Sequence, residues 1–297
     1  MTDGTISWLI DRTLNHPRHE ERVSKWSSEH RRSTLAAWAW WEKFAKKEGK
    51  ADVPLSDPFW SGATLTDALA APKLKPKTST RRIYLSAFRL LARTAIIEGI
   101  ITHSPADAIY LPTPKPMFFS YSDDDVAALL DACSVLGTKR ERTAMPRLLA
   151  LMADLGQRQG DCLAMTYGAH YRDGTFTFQQ SKTQRGLQIP ATDRLLDLLG
   201  PGTDRIGKIV NWPGGETRLR NSFAKVRDAA GLPKEAKMMH LRHYAVLRMA
   251  RLGFNALQIS TITGHTVKSA ENMLQKHYFA RDSEVAADVI RKINAAG

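Results

Sequence analysis

Two cysteines, Cys133 and Cys162, are all that the 297 residues contain. They stand far apart, which excludes a disulfide framework and a cysteine-built zinc site. No stretch approaches the roughly 20 consecutive apolar residues of a membrane-spanning helix. The first 30 residues hold no apolar signal-peptide core, so a cytoplasmic protein is expected. Internal repeats and low-complexity tracts are also missing. Negative charge is scarce: 30 Asp and Glu against 43 Lys and Arg leave a net charge of +13. With no membrane segment to explain it, that imbalance points to a polyanionic partner, nucleic acid first. Apolar content of 43% and charged content of 25% are otherwise ordinary for a globular chain. The length allows one or two domains, each with a core of its own.

What is present reads as mainly α-helix with a small antiparallel β-sheet. Residues 1–25 start with Ile6, Trp8, Leu9 and Ile10 and continue into a charged run, either a surface arm or a helix. Between Ser28 and Lys50 the apolar residues Leu35, Trp38, Trp41, Phe44 and Ala45 recur at helical spacing. Trp38, Trp40 and Trp41 are suited to stacking on bases. Duplex DNA hides its base faces, however, so the aromatic core of a helical bundle is the simpler reading. Residues 73–93 carry Lys73, Lys75, Lys77, Arg81, Arg82, Arg89 and Arg93 with no acidic residue. A solvated face usually mixes signs, so this helix is a candidate for phosphate contact, which positions a protein without reading sequence.

Four prolines between Ser104 and Met117 mark an extended linker. The division is placed at an N-terminal domain of residues 1–112, a linker at 113–119 and a C-terminal domain of 120–297. Ser122 followed by Asp123, Asp124 and Asp125 is a helix start. Helices are predicted over 123–135 and 141–155. Leu155 to Asp161 then breaks the pattern. The runs 174–180 and 186–191 alternate as paired strands, which puts Lys182 near their turn. Helices at 192–199, 216–230 and 283–294 complete the outline.

The most informative stretch is Lys237–Tyr278, with HLRH at 240–243, Gly264-His265 and Tyr278. Arg242 falls at the start of a predicted helix, where free N–H groups and the dipole already favour an anion. An arginine there is misplaced unless a negative group shares the site, and a phosphate resolves the conflict. Taken singly, each residue has a bland reading. Lone arginines are mostly solvated, lone tyrosines half-buried, and Gly264-His265 fits a helix C-terminus with glycine in the left-handed region.

Their joint order carries more. LGQRQGDCL around Arg158, SKTQRGLQIP around Lys182, HLRH, Gly264-His265 and Tyr278 resemble, in that order, the motifs of the tyrosine recombinase (phage integrase) family. The resemblance covers residues from about 120 onward closely and 25–112 loosely. The segment ITGHTVKSAENMLQKHYFARD is similar to integrases of alphaproteobacterial prophages and genomic islands. The resemblance implies a helical core-DNA-binding domain followed by a tyrosine-recombinase catalytic domain. It implies site-specific strand exchange of the integrase or excisionase type through a 3′-phosphotyrosyl intermediate, with neither metal nor cofactor. Tyr278 is then the nucleophile, Arg158 and Arg242 grip the non-bridging oxygens, and Lys182 is the general acid for the leaving 5′ oxygen. His265 hydrogen-bonds the phosphate or orients the nucleophile, and His243 supports the site. Asp161 orients an arginine.

The implied partner is double-stranded DNA, bound by a homotetramer in the synapse and by monomers otherwise, with accessory DNA-bending or directionality factors. The implied setting is the nucleoid of a bacterial or phage-infected host. Two features depart from the pattern. Met239 stands where the family usually has histidine, three residues before Arg242; His240, one position later, either substitutes for it in catalysis or leaves the general-base role weakened. Tyr278 lies 13 residues after His265, a longer interval than in many members but shared by the similar subgroup. Three other readings compete: a catalytically impaired DNA-binding protein on the same scaffold, a type IB topoisomerase, and a metal site of His240, His243, His265 and His277.

Overall fold

The computed structural model describes residues 3–70, 78–112, 119–180, 184–275, 290 and 294. The chain divides into two compact units, Met1–Pro116 and Met117–Gly297.

The first unit is helical among its described residues: α1 (Ile6–Asn15), α2 (Pro17–Ser24), α3 (Ser28–Lys47), a 3-10 turn (Pro58–Trp60), α4 (Gly62–Ala70) and α5 (Thr78–Ile97). Thr5 and Ser27 cap α1 and α3 by accepting backbone N–H bonds, as short hydroxyl residues ahead of a helix do. Residues 6–24 thus form two helices and not a loose arm. They are held inward by buried Ile6, Leu9 and Thr13, and Arg12 donates to Glu98 at 2.9 Å. That bond from Arg12 keeps the Glu98 carboxyl below the usual range. The tryptophans are core. Trp38 and Trp41 are 1% and 0% exposed, and their indole N–H groups donate to the Ala87 and Tyr84 carbonyls, both at 2.9 Å. Trp41 also packs edge-on against Phe88 at 4.9 Å between centroids. These contacts bolt α3 to α5 and leave neither ring a face for a base.

The second unit comprises α6 (Asp123–Asp131), a 3-10 turn (Ala132–Val135), α7 (Lys139–Asp154), α8 (Gln159–Ala164), β1 (Tyr171–Arg172), β2 (Thr175–Gln179), β3 (Gly186–Pro190), α9 (Asp193–Leu199), α10 (Glu216–Ala229), α11 (His240–Arg251), α12 (Ala256–Thr263) and α13 (Val267–Leu274). Capping boxes fix three starts: Ser122 with Asp125, Thr138 with Glu141, and Asn255 with Gln258. The Thr138 box explains why α7 begins two residues before the predicted 141. The predicted helix at 283–294 lies outside the described residues except for 290 and 294.

Helix α7 is the axis of this unit. Leu148 to Ala153 are all 1% exposed or less, so the C-terminal half of the helix is apolar all round and walled in by its neighbours, while Lys139, Arg140, Arg142 and Thr143 near its start are exposed. The sheet is antiparallel in the order β1-β2-β3, with Phe176 opposite Ile189 and Phe178 opposite Leu187 on the buried face. The strand β1 is an addition to the sequence reading. It pairs with β2 across Asp173 and Gly174, both at positive φ (50° and 72°), the mirror-image turn that an Asp-Gly pair favours.

Trp41→Ala is expected to destabilise the first unit by about 3–5 kcal/mol, followed as helix loss in urea by circular dichroism. A cost below about 1 kcal/mol would mean that Trp41 is not the centre of that core.

Candidate functional site

The C-terminal end of α7 delivers a turn that only glycine can make. Gly156 has φ +60°, and a Cβ there would lie 2.8 Å from Thr263 Cγ2 and 3.2 Å from Ala245 Cβ. The turn carries the chain past α11 and α12 at close range and places Arg158 just ahead of α8 in extended backbone (φ −71°, ψ 146°). Arg158 Nη1 lies 3.1 Å from Gln180 Oε1 and 3.5 Å from Asp161 Oδ2. The carboxylate of Asp161 thus faces the first arginine. Asp161 is 6% exposed and sits in the first turn of α8.

Arg242 reaches the same place from the first turn of α11. It is 8% exposed, and its Nη1 donates to the Gly156 carbonyl. Its Nε and Nη2 both point at His265 Nε2, at 3.3 and 3.1 Å. Burial first, and the nearby Arg158 second, lower the Arg242 pKa to about 10. Two guanidiniums converge here, and the carboxylate beside them, Asp161, contacts Arg158. The surplus positive charge at the start of α11 suits this place to an anion.

His265 sits directly after Gly264, whose left-handed φ of +66° ends α12. The helix-end reading and the functional reading of this pair are compatible, because the cap aims the imidazole. Nδ1 lies 2.8 Å from Thr263 Oγ1, and that hydroxyl donates its own proton to the Ile259 carbonyl at 2.8 Å. Nδ1 must therefore be the donor, which leaves the Nε2 lone pair to accept from Arg242. Burial, followed by Arg242, Arg158 and His243, pushes the His265 pKa down to about 3. At neutral pH the ring is uncharged and orients Arg242.

The remaining residues of HLRH divide. His240 is 3% exposed and accepts weakly from the Lys237 N–H at 3.5 Å, while Met239 is 60% exposed. His240 is thus turned inward and does not take the direction of Met239. It stacks on His243, with centroids 5.8 Å apart. Tyr244, two residues after Arg242, is 2% exposed and donates its hydroxyl to Asp123 at 2.6 Å, so it is not free to act as a nucleophile. Burial raises its pKa further. Lys182, His277 and Tyr278 lie outside the described residues. Among the described residues no group of three or more His, Cys, Asp or Glu is placed to hold a metal ion. Both cysteines are free and buried, and burial raises their thiol pKa values.

Three residues beneath the site do not stand out from sequence. Gln157, 0% exposed, donates to the Leu155 and Ile262 carbonyls at 2.9 and 2.7 Å. Gln180 bonds to Gln157 and Arg158, and Arg185 donates to the His265 carbonyl at 2.9 Å. Gln180 immediately precedes the Lys182 motif, Arg185 lies within it, and Gln157 precedes Arg158 in the first motif. Their place in or beside those motifs is the only signal the sequence offers.

In the first unit, Lys73, Lys75 and Lys77 lie outside the described residues. Arg82 and Arg93, on α5, border an open groove of about 790 Å³ with Trp26, His30 and Tyr110. Arg81 lies in the first turn of the same helix. Arg89 has a structural task that sequence does not reveal: it donates to the carbonyls of Ala106 (3.0 Å) and Ile109 (2.8 Å). No helix among the described residues is long and apolar enough to cross a membrane.

No family model matches this sequence, and no curated protein is similar to it. Solved structures are. A lambda integrase dimer bound to a COC′ core site matches with a TM-score of 0.68 at 20% identity, over 88% of this chain and 94% of that one. The Tn1549 transposon integrase in complex with a circular intermediate DNA matches with a TM-score of 0.70 at 13% identity, over 91% and 95%. This chain has the integrase fold. A lambda integrase tetramer bound to a Holliday junction also matches, with a TM-score of 0.67 at 19% identity, over 88% and 77%. At these identities the likeness concerns backbone architecture. On this integrase fold the cluster of positive charge is built from the side chains described above.

A stability test follows from His265. Its folded pKa, about 3, lies below the ordinary 6.5, so as pH falls the unfolded state takes up the proton first. This contribution is intact above pH 6.5 and is lost progressively between 6.5 and 3. His265→Gln is expected to show a shallower fall in Tm than the unmodified protein as pH drops from about 6.5 to 4.5. Parallel slopes would show that His265 is not held neutral.

Proposed function

We propose that this protein is a site-specific DNA recombinase of the tyrosine recombinase family. The observation that carries the reading is the convergence of Arg158 and Arg242 on one site, held by His265 and Asp161, with more positive charge than the described residues neutralise. A scissile phosphate supplies the missing anion, and the planar guanidinium fork suits its two non-bridging oxygens.

In this reading the Tyr278 hydroxyl attacks phosphorus. The bond from phosphorus to the 5′ oxygen breaks, and a 3′-phosphotyrosyl bond takes its place. Lys182 hands a proton to the leaving oxygen. The two arginines stabilise the charge that gathers on the equatorial oxygens, in a site already organised before DNA arrives. A 5′ hydroxyl from a partner strand then reverses the step and releases the tyrosine, so the phosphodiester energy is retained and strand exchange needs no nucleotide hydrolysis. The first unit contributes backbone contacts through the basic 73–93 segment. A homotetramer forms the synapse on double-stranded DNA, with monomers elsewhere and accessory factors setting direction, in the nucleoid of a bacterial or phage-infected host.

One observation favours a second reading. Met239 is exposed where the family has histidine, and His240 is buried. A chain that has lost its general base would bind DNA without cutting it. The two readings separate on nicked suicide duplexes drawn from DNA flanking the gene. The expected result is a protein–DNA adduct on denaturing gels with the unmodified protein and none with Tyr278→Phe. Arg158→Ala and Arg242→Ala are expected to cut adduct formation about 10²–10³-fold while retaining DNA affinity. Specific binding with no adduct would favour the non-catalytic reading, and near-normal cleavage by both arginine variants would sink the phosphate clamp.

For the basic segment, Arg81→Ala with Arg82→Ala is expected to weaken binding to all sequences alike. The slope of log K against log salt should also become shallower, by roughly 0.9 for each phosphate no longer neutralised. Unchanged affinity and slope in a salt titration would make the segment an ordinary solvated face.

A further inference from the structure

We infer that Gln180 is a positioning residue for phosphodiester cleavage, acting through Arg158. The inference rests on the recombinase reading above. Gln180 follows β2 and is 0% exposed. Its Oε1 accepts from Arg158 Nη1 at 3.1 Å. Its Nε2 donates to Gln157 Oε1 at 2.6 Å and to the Thr263 carbonyl at 2.9 Å. One amide thus joins the loop that presents Arg158, the end of the strand leading to Lys182, and the turn that presents His265.

Chemistry and space both call for an amide here. The two carbonyl-type acceptors, from Gln157 and Thr263, need two N–H donors, and Arg158 needs an acceptor. A glutamine side chain supplies that set, whereas a glutamate would turn an acceptor toward acceptors. The room is also closed, because a Cβ on Gly264 would collide with the Gln180 amide. The amide cannot slide away on that side, and it passes its fixed position to the guanidinium.

Arg158 depends on that contact. Its side chain is 27% exposed, and its approach to Asp161, at 3.5 Å, is longer than its bond to Gln180. Without the amide oxygen the guanidinium is free to turn toward Asp161 or solvent. Gln157 is anchored by backbone carbonyls and cannot take over the role, since its own amide oxygen is already turned to Gln180. Gln180 is 0% exposed, so in this inference its effect on a bound phosphate runs through the arginine.

The test is single-turnover adduct formation at saturating protein, with Gln180→Met to keep volume and remove every hydrogen bond, and Gln180→Glu to keep an acceptor for Arg158. Each is measured on the ordinary duplex and on one whose scissile phosphate is a methylphosphonate. That linkage lacks one charged non-bridging oxygen and so needs less from an arginine. The cleavage position is mapped beforehand with the unmodified protein, and Tm is recorded for each variant. Gln180→Met is expected to form adduct about 10- to 100-fold more slowly on the phosphodiester, with unchanged Kd for DNA. The defect should shrink to within about threefold on the methylphosphonate, as for Arg158→Ala. Gln180→Glu should retain more activity than Gln180→Met. An unchanged rate for Gln180→Met, or an equal loss on both substrates, would overturn the inference and leave Gln180 as ordinary core. Failure of the unmodified protein to form any adduct would instead overturn the recombinase reading, and this inference with it.

Discussion

Like charges repel, and this fold brings two guanidiniums to one partly buried point. Arg158 and Arg242 come from different parts of the chain, and burial together with Arg158 makes the charge of Arg242 harder to hold. The Arg242 pKa falls toward 10 by burial and by its neighbour, and His265 is driven neutral beside them. A folded chain tolerates such an arrangement only when the rest of the structure over-determines it. Here the restraints are the Gly156 carbonyl on Arg242, Asp161 and Gln180 on Arg158, and the single tautomer of His265. In the recombinase reading an arriving phosphate relieves the repulsion and finds its donors already aimed, so reorganisation costs little at the chemical step.

The scaffold explains how that tension is held. The buried C-terminal half of α7 is an axis whose end fixes the Arg158 loop. The α12 cap at Gly264 fixes the histidine, and the sheet brings Gln180 and Arg185 against both. Two glycines at positive φ make the close approach possible, since a methyl group at either would collide with Thr263 or Gln180. In the first unit the rigidity comes from aromatic packing. Two tryptophans donate their N–H groups to α5 carbonyls, and Arg89 ties down the 106–109 segment. The helix that carries Arg81, Arg82, Arg89 and Arg93 is thereby fixed.

Much of this is legible locally. The helix at Ser122, the tryptophan spacing of α3, the alternation of β2 and β3, and the glycine cap at 264 all follow from short-range patterns. The Asp173-Gly174 turn carries an equally local signal, but β1 is two residues long and shows no alternation that would mark it as a strand. The inward turn of His240 is not legible: its position two residues before Arg242 says nothing about which side of the helix meets the core. Arg89 looks like its basic neighbours, since sequence cannot tell a guanidinium facing solvent from one facing carbonyls 17 and 20 residues away.

The sequence by itself determined the helical class, the net positive charge, the candidate arginines and histidine, and the residue types suited to binding a phosphate. Each of these depends on composition or on neighbours within a few positions. Only the tertiary structure decided that Arg158 and Arg242 share one site, which nitrogen of His265 carries the proton, and that Gln180 is the joint between them. Those facts rest on contacts between residues such as Gln180 and Thr263, 83 positions apart. No local propensity encodes such a pairing; it is set by how whole helices and the sheet pack to bury their apolar faces.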